Sequence, residues 1–241
     1  MSTQRSNAAS RLRSRLGPLI YDCSETDFSS PERRKEKFRN MIGWSENSKG
    51  QWMYSQWRVE VLHRDYDGKR NVKTIFLNPK LMKVLSGIIR GANSVVAMSQ
   101  DLPSTSGKNT ETLDVIWGLD HTTPGMIAAA AVLTRWVASP DNCLKEHGSE
   151  SGIRWIDDFE DYLDYLIKGL RERKSSVLNI FKEWDRVLFP NAANGLGGRQ
   201  ATPDRDEETR EMMGALDKDS EPEGEGGDND AGNVGPESED D

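Results

Sequence analysis

Residues 121–140 form one nearly unbroken apolar run, and the rest of the hydrophobic pattern is read around it. Thr123 can cap a helix and Pro124 suits its first position, where no amide donor is needed. Pro140 stops the continuation and pushes Ser139 toward extended geometry. A helix apolar all round is either a core helix or a membrane span. The run falls short of the ~20 residues a span needs and Arg135 interrupts it, so the pattern predicts the central helix of a helical domain. The alanines at 128–131 favour helix and let neighbouring helices approach closely.

Amphipathic periodicity predicts two further helices after it. Trp155, Phe159, Leu163, Leu166 and Leu170 share one face, with Asp157, Asp158, Asp161 and Asp164 mainly elsewhere. Acids crowd the start of this helix and Lys168, Arg171 and Arg173 its end, as the macrodipole favours. Val177, Ile180, Phe181, Trp184 and Leu188 then form a second stripe after a short turn, which predicts antiparallel packing up to Pro190.

Upstream, Ser29 or Ser30 with Pro31 and Glu32 starts a helix to about Ile42, its inward end being Phe38, Met41 and Ile42. Gly43 ends it and Trp44 follows as an anchor. Asn78-Pro79 opens a helix through Ile89, closed by Gly91, with a shorter helical stretch to about Met98. Residues 101–111 read as a loop, and Ser139-Pro140 as the start of a short helix to His147. Over 51–76 two patterns compete. Trp57, Val59 and Val61 alternate, Asp67-Gly68 is a turn signal, and Val72, Thr74 and Phe76 alternate again, which fits a small β-hairpin near 57–76. The preferred reading is a helix from Trp52 to His63. The fold class expected is mainly α: a single irregular helical domain over 29–190, a basic disordered arm over 1–28 and an acidic disordered tail over 191–241.

Charge sharpens these limits. Of the formal net charge of −8, residues 191–241 contribute sixteen acids against four bases, whereas residues 1–20 hold four arginines and no acid. The stretch between is electrically balanced. The tail has too few large apolar residues to offset the entropy of folding. The arm, with Leu12, Leu16 and Ile20 on one helical face, also has the composition of a mitochondrial transit peptide. Two cysteines, Cys23 and Cys143, make no disulfide scaffold and suggest an intracellular chain, cytoplasmic or nuclear.

Four segments together resemble a family: Ile75-Phe76-Leu77-Asn78-Pro79, the Gly91 after Ile88-Ile89-Arg90, Thr123-Pro124-Gly125-Met126-Ile127-Ala128, and Glu183-Trp184-Asp185-Arg186 through Phe189-Pro190. They resemble, in the same order over roughly residues 33–190, a lineage-expanded domain family of mushroom-forming (basidiomycete) fungi whose function is unknown. The resemblance implies a helical domain and carries over no catalytic residue.

Local motifs add little chemistry. His63-Arg64-Asp65 has the look of a kinase catalytic loop, but the asparagine needed five residues after the aspartate is Arg70. Asp65-Tyr66-Asp67-Gly68 misplaces the glycine of a calcium loop and has Phe76 where the bidentate glutamate belongs. Ser106-Gly107-Lys108-Asn109 lacks the first glycine and the hydroxyl residue of a phosphate loop. The histidines at 63, 121 and 147 and the two cysteines show no metal-ligand spacing. Asp120-His121, just before the central helix, is the best polar pair, able in principle to act as acid and base. It reads more simply as a helix entrance. The seven tryptophans fall mostly on apolar faces, which favours core over nucleic-acid stacking.

The reading that results is a non-enzymatic, intracellular helical module for an unidentified protein partner, with no cofactor, metal or membrane. One alternative is a nucleic-acid-associated factor, linked to mobile elements, that holds phosphates through the N-terminal arm. The other is an enzyme of unknown type around Asp120 and His121. Ser220 and Ser238, each followed by acids, are candidate phosphorylation sites.

Overall fold

The chain, seen in a computed structural model that describes residues 12–100, 102, 112–190 and 212, is mostly helical. It divides into two units, Met1–Leu196 and Gly197–Asp241. Only Met212 of the second is described, so the acidic tail with Ser220 and Ser238 lies outside the described residues. So does most of the loop expected at 101–111, with the phosphate-loop-like segment at 106–109.

The apolar run forms α6 (Pro124–Ala138) with the expected ends. The Thr123 hydroxyl accepts the Met126 amide at 3.3 Å, and Ser139 turns extended before Pro140. Ile127, Ala128, Ala130, Ala131, Trp136 and Val137 are buried. Against this helix pack α3 (Pro79–Ile89), capped by Asn78, and α7 (Trp155–Arg171). A short turn leads from α7 to α8 (Ser175–Leu188), whose Val177, Ile180, Trp184 and Leu188 are buried as the stripe predicts. Gly169 of α7 sits against Val177 so closely that any side chain there would collide with it. The Trp184 indole N–H donates to the Phe76 carbonyl at 2.7 Å, tying α8 to the segment before α3. The remaining helices are α1 (Gly17–Tyr21), α2 (Pro31–Phe38), α4 (Ala92–Ser99) and α5 (Leu113–Ile116).

Three expectations are corrected. The segment 12–28 is not an unstructured arm. A π-helical turn over Leu12–Leu16 leads into α1, a 3-10 turn covers Glu25–Phe28, and Leu12, Leu16, Ile20, Tyr21 and Phe28 are buried. The reason lies at the C-terminal end of α6, where backbone carbonyls have no intrahelical donor and the dipole favours cations. Arg13 donates to the Trp136 carbonyl at 2.8 Å and to that of Val137 at 3.2 Å, while its guanidinium stacks on the Trp136 ring. Arg34, 3% exposed, donates to the Ser139 carbonyl at 2.8 Å and to Phe28 O at 3.1 Å. The Tyr21 hydroxyl donates to Thr134 O at 2.7 Å. The central helix is finished by groups supplied from the first 34 residues.

Residues 52–63 form no α-helix, and the two-stranded hairpin lies earlier than 57–76. β1 (Trp44–Glu46) pairs antiparallel with β2 (Trp52–Tyr54), while a 3-10 turn covers Glu60–Leu62 and a single antiparallel bridge joins His63 to Ile75. Nor does a helix follow Ser139. Residues 139–154 are a loop gathered around the buried Asp141 carboxylate, which accepts from Glu150 N at 2.8 Å, Ser151 N at 3.0 Å, the Ser151 hydroxyl and the Trp155 indole N–H at 3.1 Å. This many donors satisfy a buried carboxylate and fix the loop around it.

The N-terminal docking gives a direct test. Burying Leu12 and Leu16 contributes roughly 1.5–3 kcal/mol each, before the Arg13 bonds are counted. A chain beginning at Gly17 should therefore lose about 4 kcal/mol in denaturant unfolding, and roughly 10 °C in melting midpoint. An unchanged midpoint would restore the free-arm reading.

Candidate binding cleft

The one charged side chain in α6 is where the site begins. Arg135 is 1% exposed among apolar neighbours, and burial without partners would cost several kcal/mol. Its donors reach three elements. Nη1 donates to Asp158 and, at 2.8 Å, to the Tyr162 hydroxyl, both on α7. Nη2 donates to Ser55 O at 3.0 Å and to Ile42 O at 3.2 Å, the two strand roots of the hairpin. The Tyr162 hydroxyl in turn donates to Gln56 O at 2.7 Å. The deep face of α7 is thus Trp155, Asp158, Tyr162, Leu166 and Gly169, with Phe159, Leu163 and Leu170 at its margin. Asp158 belongs to the buried side, contrary to the sequence expectation, because Arg135 awaits it there.

Held at its root, the hairpin keeps Trp44 and Tyr54 half-buried and exposes Trp52 and Met53. Trp44 and Trp52 stack with centroids 5.6 Å apart and planes 7° from parallel, and Tyr54 meets Trp44 edge-on at 4.8 Å. Trp52 is 58% exposed and Met53 49%. Between β2 and the loop fixed by Asp141 lies a cleft of about 340 Å³. Its lining includes Trp52, Met53 and Tyr54 on one side, Ser151 to Arg154 on the other, and Arg135 with Asp158. The charges are paired internally: Arg135 with Asp158, and Arg154 with Asp157 at 2.8 Å. The Tyr54 hydroxyl is buried and has no hydrogen-bond partner among the described residues.

The residues singled out from sequence lie elsewhere. His63 is buried and bonded on both ring nitrogens, to Thr74 Oγ1 at 3.1 Å and to Trp57 O at 3.0 Å. A carbonyl can only accept, so Nε2 is the donor in that contact. Asp67 receives the Lys69 amide in its turn, and Arg64 reaches Leu77 O and Glu183. Asp120 and His121 do pair, Oδ1 to Nδ1 at 2.5 Å, but both side chains are at least two-thirds exposed, and the pair does not line the cleft. His147 bridges Arg154 through backbone. Cys23 and Cys143 are free thiols, and burial with the neighbouring Asp27 raises that of Cys23 to about 11. Among the described residues no group of three His, Cys, Asp or Glu could hold a metal ion, and no helix is long and apolar enough to cross a membrane. Of the tryptophans, 136, 155 and 184 are core, 44 and 57 are half-buried, and 52 and 117 are exposed.

Sequence reasoning missed the cleft because its parts come from three distant segments. One signal was available: a lone arginine in an apolar helix needs an acid, and the next long helix begins with several. No protein-family model, curated protein or solved structure matches the chain.

Burial also sets an alkaline limit. All five tyrosines are held above their usual range, chiefly by desolvation of the phenolate: Tyr54 at about 12, Tyr21 and Tyr162 strongly, Tyr66 and Tyr165 less so. The unfolded chain releases these protons first, near pH 10, so stability is complete below about pH 10 and falls as pH rises toward 12. Phenolate absorbance should appear late and together with loss of helical ellipticity. A normal titration near pH 10 with the helices intact would contradict this burial.

Proposed function

We propose that this chain is a non-enzymatic, intracellular helical module that binds a partner protein through the hairpin and its cleft. The observation that carries the reading is the contrast between the charges and the apolar rim. The charged groups lining the cleft are paired with the chain's own groups, Arg135 with Asp158 and Arg154 with Asp157, so among the described residues its acids and bases are taken up in ion pairs. The rim, by contrast, presents a stacked, exposed Trp52 beside Met53. Tryptophan held rigid beside a flexible methionine is a composition that protein interfaces favour. Two free cysteines, one of them exposed, agree with a reducing compartment.

Arg13 counts against the nucleic-acid alternative, since one of the arginines of the basic segment is spent on backbone carbonyls of α6. Asp120 and His121, exposed and outside the cleft, lend no support to an enzyme there. The likeness of residues 33–190 to the basidiomycete family carries no chemistry and leaves this reading unchanged.

A photo-crosslinking residue placed at Met53 tests the proposal in extract of the source cells. Proteins captured by the parent chain should be lost on Trp52→Ala, a change that should cost the fold less than about 1.5 kcal/mol because only the stacking on Trp44 is removed. Capture that is identical with and without Trp52, in a variant that melts normally, would refute the reading.

A further inference from the structure

We infer that the partner enters the cleft as an extended, uncharged peptide segment that adds to β2 as a third strand. This rests on the interaction reading above and specifies its mode. Register decides which backbone groups are already used. Ser55 N–H donates to Gly43 O and Asn47 N–H to Gln51 O, each at 2.8 Å. With Ser45 opposite Met53 in the register, the bonded pairs are therefore Gly43–Ser55, Ser45–Met53 and Asn47–Gln51. In an antiparallel ladder such pairs alternate with non-bonded ones. Trp52 and Tyr54 thus turn their N–H and C=O groups away from β1, toward the outer edge of a sheet that has two strands among the described residues.

The cleft lies along that edge. It is touched by Trp52, Met53 and Tyr54 in succession, and successive side chains of a strand point to opposite faces. A space that meets all three runs beside the backbone. Open donors and acceptors on residues two apart are the template for strand addition, and the far wall, held by Asp141, leaves room for a short segment only.

The lining states what the segment carries. Trp52 and Tyr54 share the face that meets Trp44, so residues i and i+2 of an added strand stand beside them. The exposed indole selects an apolar or aromatic side chain at the first position. The buried, unbonded Tyr54 hydroxyl selects a hydrogen-bonding one at the second: Ser, Thr, Asn or Gln. Arg135 and Arg154 are each neutralised by an aspartate, so neither position gains from a charge.

The test begins with a random decapeptide phage library selected on the full chain. The strongest peptide is then synthesised with a single backbone N-methyl group at each position in turn, and fluorescence anisotropy gives its affinity for the parent, Trp52→Ala and Tyr54→Phe chains. N-methylation removes one N–H and leaves the side chain in place. The inference expects losses of about tenfold or more, roughly 1.4 kcal/mol each, at alternate positions only. It also expects loss of binding on Trp52→Ala, and a preference for Ser, Thr, Asn or Gln over Ala at position i+2 that vanishes on Tyr54→Phe. Sensitivity spaced three and four residues apart, or none, would overturn strand addition while leaving the interaction reading to the crosslinking result. Failure to select any peptide that depends on Trp52 would overturn it too.

Discussion

A guanidinium inside an apolar helix is the constraint around which the fold is arranged. Arg135 cannot leave the core without dragging α6 with it, and it cannot stay there without acceptors. Desolvating it costs several kcal/mol, so each of its donors must find an oxygen. α7 supplies Asp158 and Tyr162, and the hairpin supplies the carbonyls of Ile42 and Ser55. The Ser55 carbonyl is free for Arg135 because Gly43 N–H turns back to Asn40 O instead of crossing to it. One side chain therefore satisfies the weakest point of a two-stranded sheet, an element that is marginal alone in water. Tyr162 extends the same network to Gln56 and carries the hairpin's exit strand past α7.

Arginine serves the other end of α6 in the same way. Arg13 and Arg34 meet carbonyls from Trp136 to Pro140, where the helix dipole and unpaired acceptors make a cation most useful. Among the described residues their hydrogen bonds go to carbonyl and amide oxygens and not to carboxylates; burial and the neighbouring Arg34 charge even lower the Arg13 pKa, to about 9. The guanidinium fork suits this task because several N–H groups diverge in one plane. The first residues of the domain thus act as a clasp on its central helix.

How much of this was legible in the sequence depends on the range of the interaction. Helix ends governed by neighbours in the chain were readable: Thr123 with Pro124, Asn78 with Pro79, and the Gly91 stop. So was most of the α8 stripe, since 3.6-residue periodicity is a local signal; the α7 stripe gave the helix, but its buried face is turned so that Phe159, Leu163 and Leu170 lie at the margin. Three features were not. Leu12, Leu16 and Ile20 showed helical spacing, but their burial depends on Arg13 reaching carbonyls more than 120 residues away. Asp158 looked like one more solvent-facing acid until its partner on α6 was known. The hairpin strands are three residues each, too short for alternation to register, and Trp44 and Trp52 declare themselves a pair only when stacked. The cleft inherits all three difficulties, since β2, the Asp141 loop and Arg135 meet only in the folded chain.

The claim that Arg135 roots the hairpin is tested most directly by amide hydrogen exchange on Arg135→Lys. Lysine keeps the charge and can bond Asp158, but its single ammonium cannot span Ile42 O, Ser55 O and α7 together. If the account is right, the amides of Ser45, Asn47, Met53 and Ser55 exchange at least about tenfold faster, a local opening of the kind packed elements otherwise resist. Those of Ile180 to Trp184 in α8 keep their protection. Hairpin amides that exchange as in the parent chain, or a uniform loss of protection across the molecule, would contradict it.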